Sequence, residues 1–264
     1  MFDLQLWLSG LQVLAVVALI GWLASLRLND VSIVDSLWSL MFLAAAVTYA
    51  SGQPGPLGGR ALLVLVLVAA WAIRLSAYIT WRNRGHGEDF RYRQIRANNE
   101  PFFAIKSLYI VFGLQAGLAW IVSLPLLAAI NSTRPLGWLD VAGVALWGVG
   151  LLFETVGDWQ LARFKSDPGN RGRVLDEGLW RYTRHPNYFG DFCVWWGLYL
   201  IAIAAGGAWS VVGPLLMTLL LLRVSCVALL ERDIAERRPG YASYVASTNA
   251  FFPGPPRQFD GGTR

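Results

Sequence analysis

Ionisable and amide side chains recur in this chain at places where a purely structural segment would carry leucine. Asn187 and Asp191 stand four residues apart, on one face of the helix that Pro186 is pre-set to open. Glu154 and Asp158 share a second face in the same way, and Trp71, Arg74 and Tyr78 form a third stripe at i, i+3 and i+7. Asp35 and Arg223 each lie within a further apolar run. A charge at the centre of a membrane helix costs roughly 2.5–3.5 kcal/mol on insertion scales, so half a dozen of them ask for a function. Carboxylates and amides suit ribose hydroxyls or a carboxamide, and guanidinium groups suit phosphate. A buried carboxylic acid kept protonated can donate a hydrogen bond to a carbonyl oxygen.

The elements that position these residues follow from segment lengths. With 55% apolar residues and apolar runs near twenty residues that recur along the chain, the reading is an all-α integral membrane bundle of seven transmembrane helices. The spans expected are 4–26, 32–50, 61–81, 107–130 with Pro125 as a kink, 137–159, 186–205 and 210–230. Met1-Phe2-Asp3 carries no positive n-region, so the first span reads as a retained helix and not as a signal peptide. The loops after the first, third and fifth spans and the tail hold nearly all the Arg and Lys. That places the N-terminus outside and the C-terminus in the cytoplasm. Two loops are strongly basic, one with Arg82, Arg84, Arg91, Arg93 and Arg96, the other with Arg163, Lys165, Arg171, Arg173, Arg181 and Arg184.

The simplest packing points the polar stripes at one cavity open to the basic side. An arginine-ringed polar cleft of that kind suits a phosphorylated cofactor. No Gly-x-Gly-x-x-Gly occurs, which excludes a Rossmann site, and nothing suggests a nucleic-acid partner. Cys193 and Cys226 lie in apolar runs without metal-ligand spacing, and with only His86 and His185 in the chain no metal site is expected.

Arg184-His185-Pro186-Asn187-Tyr188-x-Gly190-Asp191, followed by two apolar spans and Tyr241-x-x-Tyr244, resembles the C-terminal half of the steroid 5α-reductase family. Asp158, the loop to Arg173 and Asn83-Arg84-Gly85 extend the likeness over most of the chain. The resemblance implies a seven-helix bacterial inner-membrane oxidoreductase that uses NADPH to reduce the double bond of an enone in a steroid-like or other lipophilic substrate taken from the bilayer. It implies one membrane domain, with residues 1–106 on the substrate side and 107–264 on the cofactor side, acting as a monomer or weak oligomer among membrane lipids. Asp158, Arg173, Asn187 and Asp191 match the family's cofactor-contacting positions, with Arg163 and Lys165 in the matching loop. Tyr182, Arg184, His185, Tyr188, Arg223, Glu231, Tyr241 and Tyr244 are expected around the same cofactor.

On the substrate side, Asp35 falls where the steroid enzymes have a carbonyl-polarising glutamate, and Trp71 falls where they have its partner tyrosine. Arg74 and Tyr78 are therefore the expected assistants of Asp35. Leu230-Glu231-Arg232 stands where the steroid enzymes carry histidines, which separates steroid specificity from the rest. The Arg-His-Pro-x-Tyr element is also similar to membrane methyltransferases that modify prenylcysteine or phospholipid with S-adenosylmethionine. Those pair it with consecutive glutamates after the last span, and here Glu231 is followed by Arg232 and Asp233. A scaffold or transporter is the remaining reading.

Overall fold

The computed structural model describes residues 2–224 and 240–257. Among them the secondary structure is helical, without strands. The chain divides into two compact units, Met1–Asp140 with Tyr199–Gly213, and Val141–Leu198 with Pro214–Arg264.

The first unit contains α1 (Leu4–Leu28), α2 (Ile33–Ser51), α3 (Gly59–Asn83), α4 (Phe90–Asn98), α5 (Phe103–Val122) and α6 (Leu124–Ile130). Asp3 caps α1 by accepting from the Leu6 N–H, and Asn29 closes it in the left-handed conformation. The buried residues of α1, Leu6, Gly10, Leu14, Ala18, Gly21 and Ser25, recur every three or four positions and form one stripe. The rest of the helix turns leucine, valine and isoleucine outward, the pattern of a lipid-facing surface. Gly10 lets α1 close onto Tyr49 of α2, because a Cβ there would sit 2.7 Å from the Tyr49 ring and hydroxyl. Tyr49 is itself fully buried, its hydroxyl 2.8 Å from Ser123 Oγ.

Arg60, in the first turn of α3, is 2% exposed and uses its whole guanidinium fork. It donates to both carboxylate oxygens of Asp140 at 2.7 and 2.8 Å, to Ser132 Oγ, and to the carbonyls of Arg134 and Pro135. A buried charge is tolerable only when satisfied so fully. This residue, which the sequence offers as a plain loop cation, ties α3 to the segment 132–140.

The second unit is built on α7 (Trp138–Ser166) and α8 (Pro186–Ala204), both of which cross from the first, with α9 (Val212–Leu219) and α10 (Tyr241–Ser247). Antiparallel α7 and α8 meet along a seam of glycines spaced by seven. Gly143, Gly150 and Gly157 lie on one helix, Gly190 and Gly197 on the other. A Cβ on Gly150 would lie 2.5 Å from the Gly190 carbonyl, one on Gly190 2.6 Å from the Gly150 carbonyl, and one on Gly197 2.7 Å from the Gly143 carbonyl. Small residues at such a seam let two backbones approach as membrane helices require.

Among the described residues five helices, α1, α2, α3, α5 and α7, are long and apolar enough to cross a membrane. The 19-residue α8, whose first turns are polar, and the apolar stretch Ala208–Arg223 lie where the other two spans are expected, and residues 225–230 of the last lie outside the described residues. The fourth span ends sooner than expected. α5 stops at Val122, and α6 restarts with Pro125 in its first turn, where the missing N–H is harmless.

Candidate functional site

Two polar clusters stand out, one in each unit. The first is organised on Asp35, which lies in the first turn of α2 and not deep within its span as expected. The basic loop folds into α4, opened by Asp89, whose carboxylate accepts from the Arg91 N–H. That helix brings two side chains to Asp35. Arg91 Nη2 donates to Oδ2 at 2.7 Å, and the Tyr92 hydroxyl donates to Oδ1 at 2.5 Å. Gln115 Nε2, from α5, donates in turn to the Tyr92 oxygen at 3.2 Å, while the Gln115 Oε1 is buried and meets no donor among the described residues. An unmet buried acceptor costs about 1–3 kcal/mol. Burial, and after it the Asp35 charge, pushes the Tyr92 phenol well above its ordinary value, so it stays a donor.

The same loop is fastened to the turn before α2. Glu88 accepts from the Val31 N–H and pairs with Arg96, and the Asp89 N–H donates to Ser32 Oγ. Burial alone would raise the Glu88 carboxyl, yet the Arg96 guanidinium and the Val31 N–H hold it below the usual range. Asp89 is likewise held low, against its burial, by Arg91.

Among the described residues the hydrogen bonds of Asp35 go to Arg91 and Tyr92, on α4, and not to Arg74 or Tyr78. Asp35 accepts at both carboxylate oxygens, one of them paired to the Arg91 guanidinium. Arg74 and Arg82 instead lie over the Tyr78 ring, 5.7 and 5.9 Å from its centroid. Trp71 is fully buried against Phe42.

The second cluster sits at the polar end of the α7–α8 seam. Asp158 is 4% exposed and accepts from Asn187 Nδ2 at 3.4 Å. Asp191 follows one turn along α8, and Glu154 one turn back on α7, both buried. The glycine seam sets this pairing, since Gly157 leaves room for Pro186 and the Asn187 N–H. Beyond it Arg163, Lys165 and Arg173 are exposed, with Arg163 5.5 Å from the centroid of the exposed Trp159 ring.

A cavity of about 740 Å3 opens there, lined among others by Trp159, Gln160, Arg163, Asp167 and Asn170. The loop forming its wall is pinned by Leu179 N–H to Gln160 Oε1 and by the Trp180 indole to the Gly157 carbonyl. Of the expected cofactor residues Arg163 lines this cavity, beside Trp159 and the acidic Asp167 and Glu177, while Asp158, Lys165, Arg173, Asn187 and Asp191 lie outside its lining.

Other expected cofactor residues join segments within the second unit. Arg184 is buried and donates to the carbonyls of Val245 and Thr248. Its N–H reaches the Asn249 carbonyl, Thr183 Oγ1 the Phe251 carbonyl, and the Tyr244 hydroxyl the Trp180 carbonyl. The motif thus clamps the C-terminal segment onto the start of α8. Tyr241 packs on Tyr244, and the His185 ring lies 5.7 Å from that of Tyr188. Tyr182 and Arg223 are exposed, while Glu231 and Cys226 lie outside the described residues. Sequence reasoning missed Tyr92 and Gln115. The cap signature Asp89-Phe90-Arg91-Tyr92 was the available signal for the first.

The family described as a protein of unknown function (DUF1295) matches residues 21–248. An uncharacterized protein of Schizosaccharomyces pombe is 23% identical over 261 residues, covering 88% of this chain and 75% of that protein. No solved structure matches the chain significantly.

Proposed function

The chain belongs to the DUF1295 family, of the steroid 5α-reductase-like group, and from that premise we propose that it is a membrane reductase that uses NADPH to saturate the double bond of an enone in a lipophilic substrate. The observation that carries the reading is the Asp35–Tyr92 pair, an acid holding a phenol in place at the end of a membrane helix, with Arg91 and Gln115 fixing both. Methyl transfer has no use for such a pair. The acid and amide cluster on α7 and α8, with the exposed Arg163, Lys165 and Arg173 beyond it, supports the other half of the reaction.

When bound, the nicotinamide supplies a hydride. Arg163, Lys165 and Arg173 would hold the phosphates, and Asp158, Asn187 and Asp191 the ribose or carboxamide. On the substrate side, negative charge develops on the carbonyl oxygen and must be met where it appears. Tyr92 takes the role first expected of Tyr78. Its one O–H, given to Asp35 in the free chain, turns to that oxygen when substrate binds, Arg91 then balances the Asp35 charge, and solvent supplies the proton for the α-carbon. Arg184, Tyr241 and Tyr244 serve the site by holding the C-terminal segment against α8.

The proposed topology is seven spans in one membrane domain, with the N-terminus outside and the C-terminal segment in the cytoplasm of a bacterial cell. Residues 1–106 form the substrate side and 107–264 the cofactor side. The test is NADPH consumption by the detergent-purified chain with lipophilic enones, alongside Tyr92→Phe. Turnover by the unaltered chain and its loss in the variant are expected. Undiminished turnover in Tyr92→Phe removes the phenol from the reaction, and consumption of none of the enones removes the reaction itself.

A further inference from the structure

The hydrogen bonds around Asp35 all point the same way. Arg91 and Tyr92 donate to the carboxylate, and Gln115 donates to Tyr92. Every link passes a donor toward Asp35, so the far end of the chain is an acceptor, the Gln115 Oε1, buried and unmet by any donor among the described residues. Turning the amide over would set an oxygen against the Tyr92 oxygen, whose proton Asp35 already takes, so the orientation is fixed by the chain itself. An acceptor in this position asks for one more O–H or N–H.

A second feature singles out the same residue. The turn Leu108–Gly113, immediately before Gln115, is π-helical within the otherwise α-helical α5. Such wide turns are rare and gather at functional sites, where the extra residue re-aims the side chains that follow. Gln115 also lies within an apolar span, with its neighbour Leu114 exposed, so a group reaching it from the surroundings arrives on a lipophilic molecule.

We infer that Gln115 reads a hydroxyl on the substrate, accepting its hydrogen bond at Oε1, so that the substrate is a hydroxylated lipid whose hydroxyl lies beside the carbonyl served by Tyr92. This rests on the reductase reading and narrows its substrate class. A ketone or ether oxygen is an acceptor and leaves Oε1 unmet. A site built around a hydroxyl rejects the analogue that lacks it more sharply than an apolar pocket rejects a lost methylene.

The test uses the full chain in detergent and matched pairs of probes, linear, isoprenoid and sterol alcohols against their methyl ethers, which keep the oxygen and remove only the donor. Affinity is read by quenching of tryptophan fluorescence. At least one alcohol is expected to bind about tenfold or more tightly than its ether, the effect of a single well-placed hydrogen bond. Gln115→Leu is expected to reduce that ratio to about one, and Gln115→Glu, which when protonated donates to the Tyr92 oxygen and keeps an acceptor, to preserve it at acidic pH.

Equal binding of every alcohol and its ether, or failure of every alcohol to bind, overturns the inference and assigns Oε1 to a water molecule. A ratio that survives Gln115→Leu overturns the choice of residue. If that variant does not fold, the ratio measured on the unaltered chain and on Gln115→Glu still decides. NADPH binding on the same preparation separates the two claims. Alcohol selectivity without NADPH binding keeps Gln115 and loses the reductase, and the reverse keeps the reductase and loses Gln115.

Discussion

Gly190→Ala and Gly148→Ala make a matched pair of perturbations in the second unit. Both replace glycine by alanine inside a helix, which by propensity alone favours the folded state by about 0.8–1.0 kcal/mol each. They differ in what the new methyl meets. At Gly148 nothing lies within 4 Å, so the propensity gain stands alone. At Gly190 the methyl would sit 2.6 Å from the Gly150 carbonyl and 2.7 Å from the Glu154 N–H, about 0.8 Å inside ordinary van der Waals contact. Both obstacles are backbone, so relief requires α7 and α8 to separate.

Overpacking of this kind costs about 1–3 kcal/mol, which offsets the propensity gain or exceeds it by up to about 2 kcal/mol. The two variants should therefore differ by about 1–3 kcal/mol, or several degrees in Tm at the ~2–4 °C per kcal/mol of a chain of this size. Thermal unfolding in detergent, with both variants in one buffer, reads the difference. Separation of the helices also pulls Asn187 from Asp158, already 3.4 Å apart, so Gly190→Ala should weaken nucleotide binding where Gly148→Ala does not. Equal Tm values for the two variants would refute the seam.

Arg60→Met leaves Asp140 buried without its counter-charge and is expected to cost about 3–5 kcal/mol by thermal unfolding, whereas Arg60→Met with Asp140→Leu recovers much of it; a single variant as stable as the unaltered chain contradicts the clamp. Asp35→Asn should keep nucleotide affinity and lose turnover, and loss of affinity instead would mean that Asp35 serves the cofactor. The pH dependence of α4 docking follows from Glu88 and Asp89, whose carboxyls are held below their ordinary 4.5 and 3.8. A depressed folded-state value gives stability that is full above the ordinary value and lost as pH falls through the depressed one. Hydrogen exchange at residues 90–98 should therefore be flat from neutral pH down to about 4.5 and accelerate, beyond the intrinsic rate, only below about 4; early acceleration between pH 7 and 5 would point to a different anchor.

Much of the helical layout was legible because lipid imposes length and polarity on each segment. The ends of α1, α2 and α3 lie within three residues of the expected bounds. That the polar faces of α7 and α8 lie together was also legible, since a polar face at each helix end must meet something polar, whereas the partner of each side chain was not. What escaped reading depended on contacts between segments distant in sequence. Asp35 is 57 residues from Tyr92, and Arg60 is 80 from Asp140. The glycines at 143, 150, 157, 190 and 197 were visible as spacing, but among 27 glycines only the approach of α7 to α8 tells which matter. Arg184 stands in a recognisable motif that suggested a ligand contact, and its bonds to the carbonyls of Val245 and Thr248, some sixty residues on, were not legible from that motif.

The most direct measurement is the thermal unfolding of the detergent-purified chain with NADPH and, separately, with S-adenosylmethionine. A ligand that binds the folded state adds about 2.7 kcal/mol at a hundredfold excess over its Kd, so the cofactor should raise Tm by several degrees. The account predicts that rise with NADPH, its loss in Asp158→Ala, and no rise with S-adenosylmethionine. A rise with S-adenosylmethionine alone, or with neither nucleotide, would contradict it.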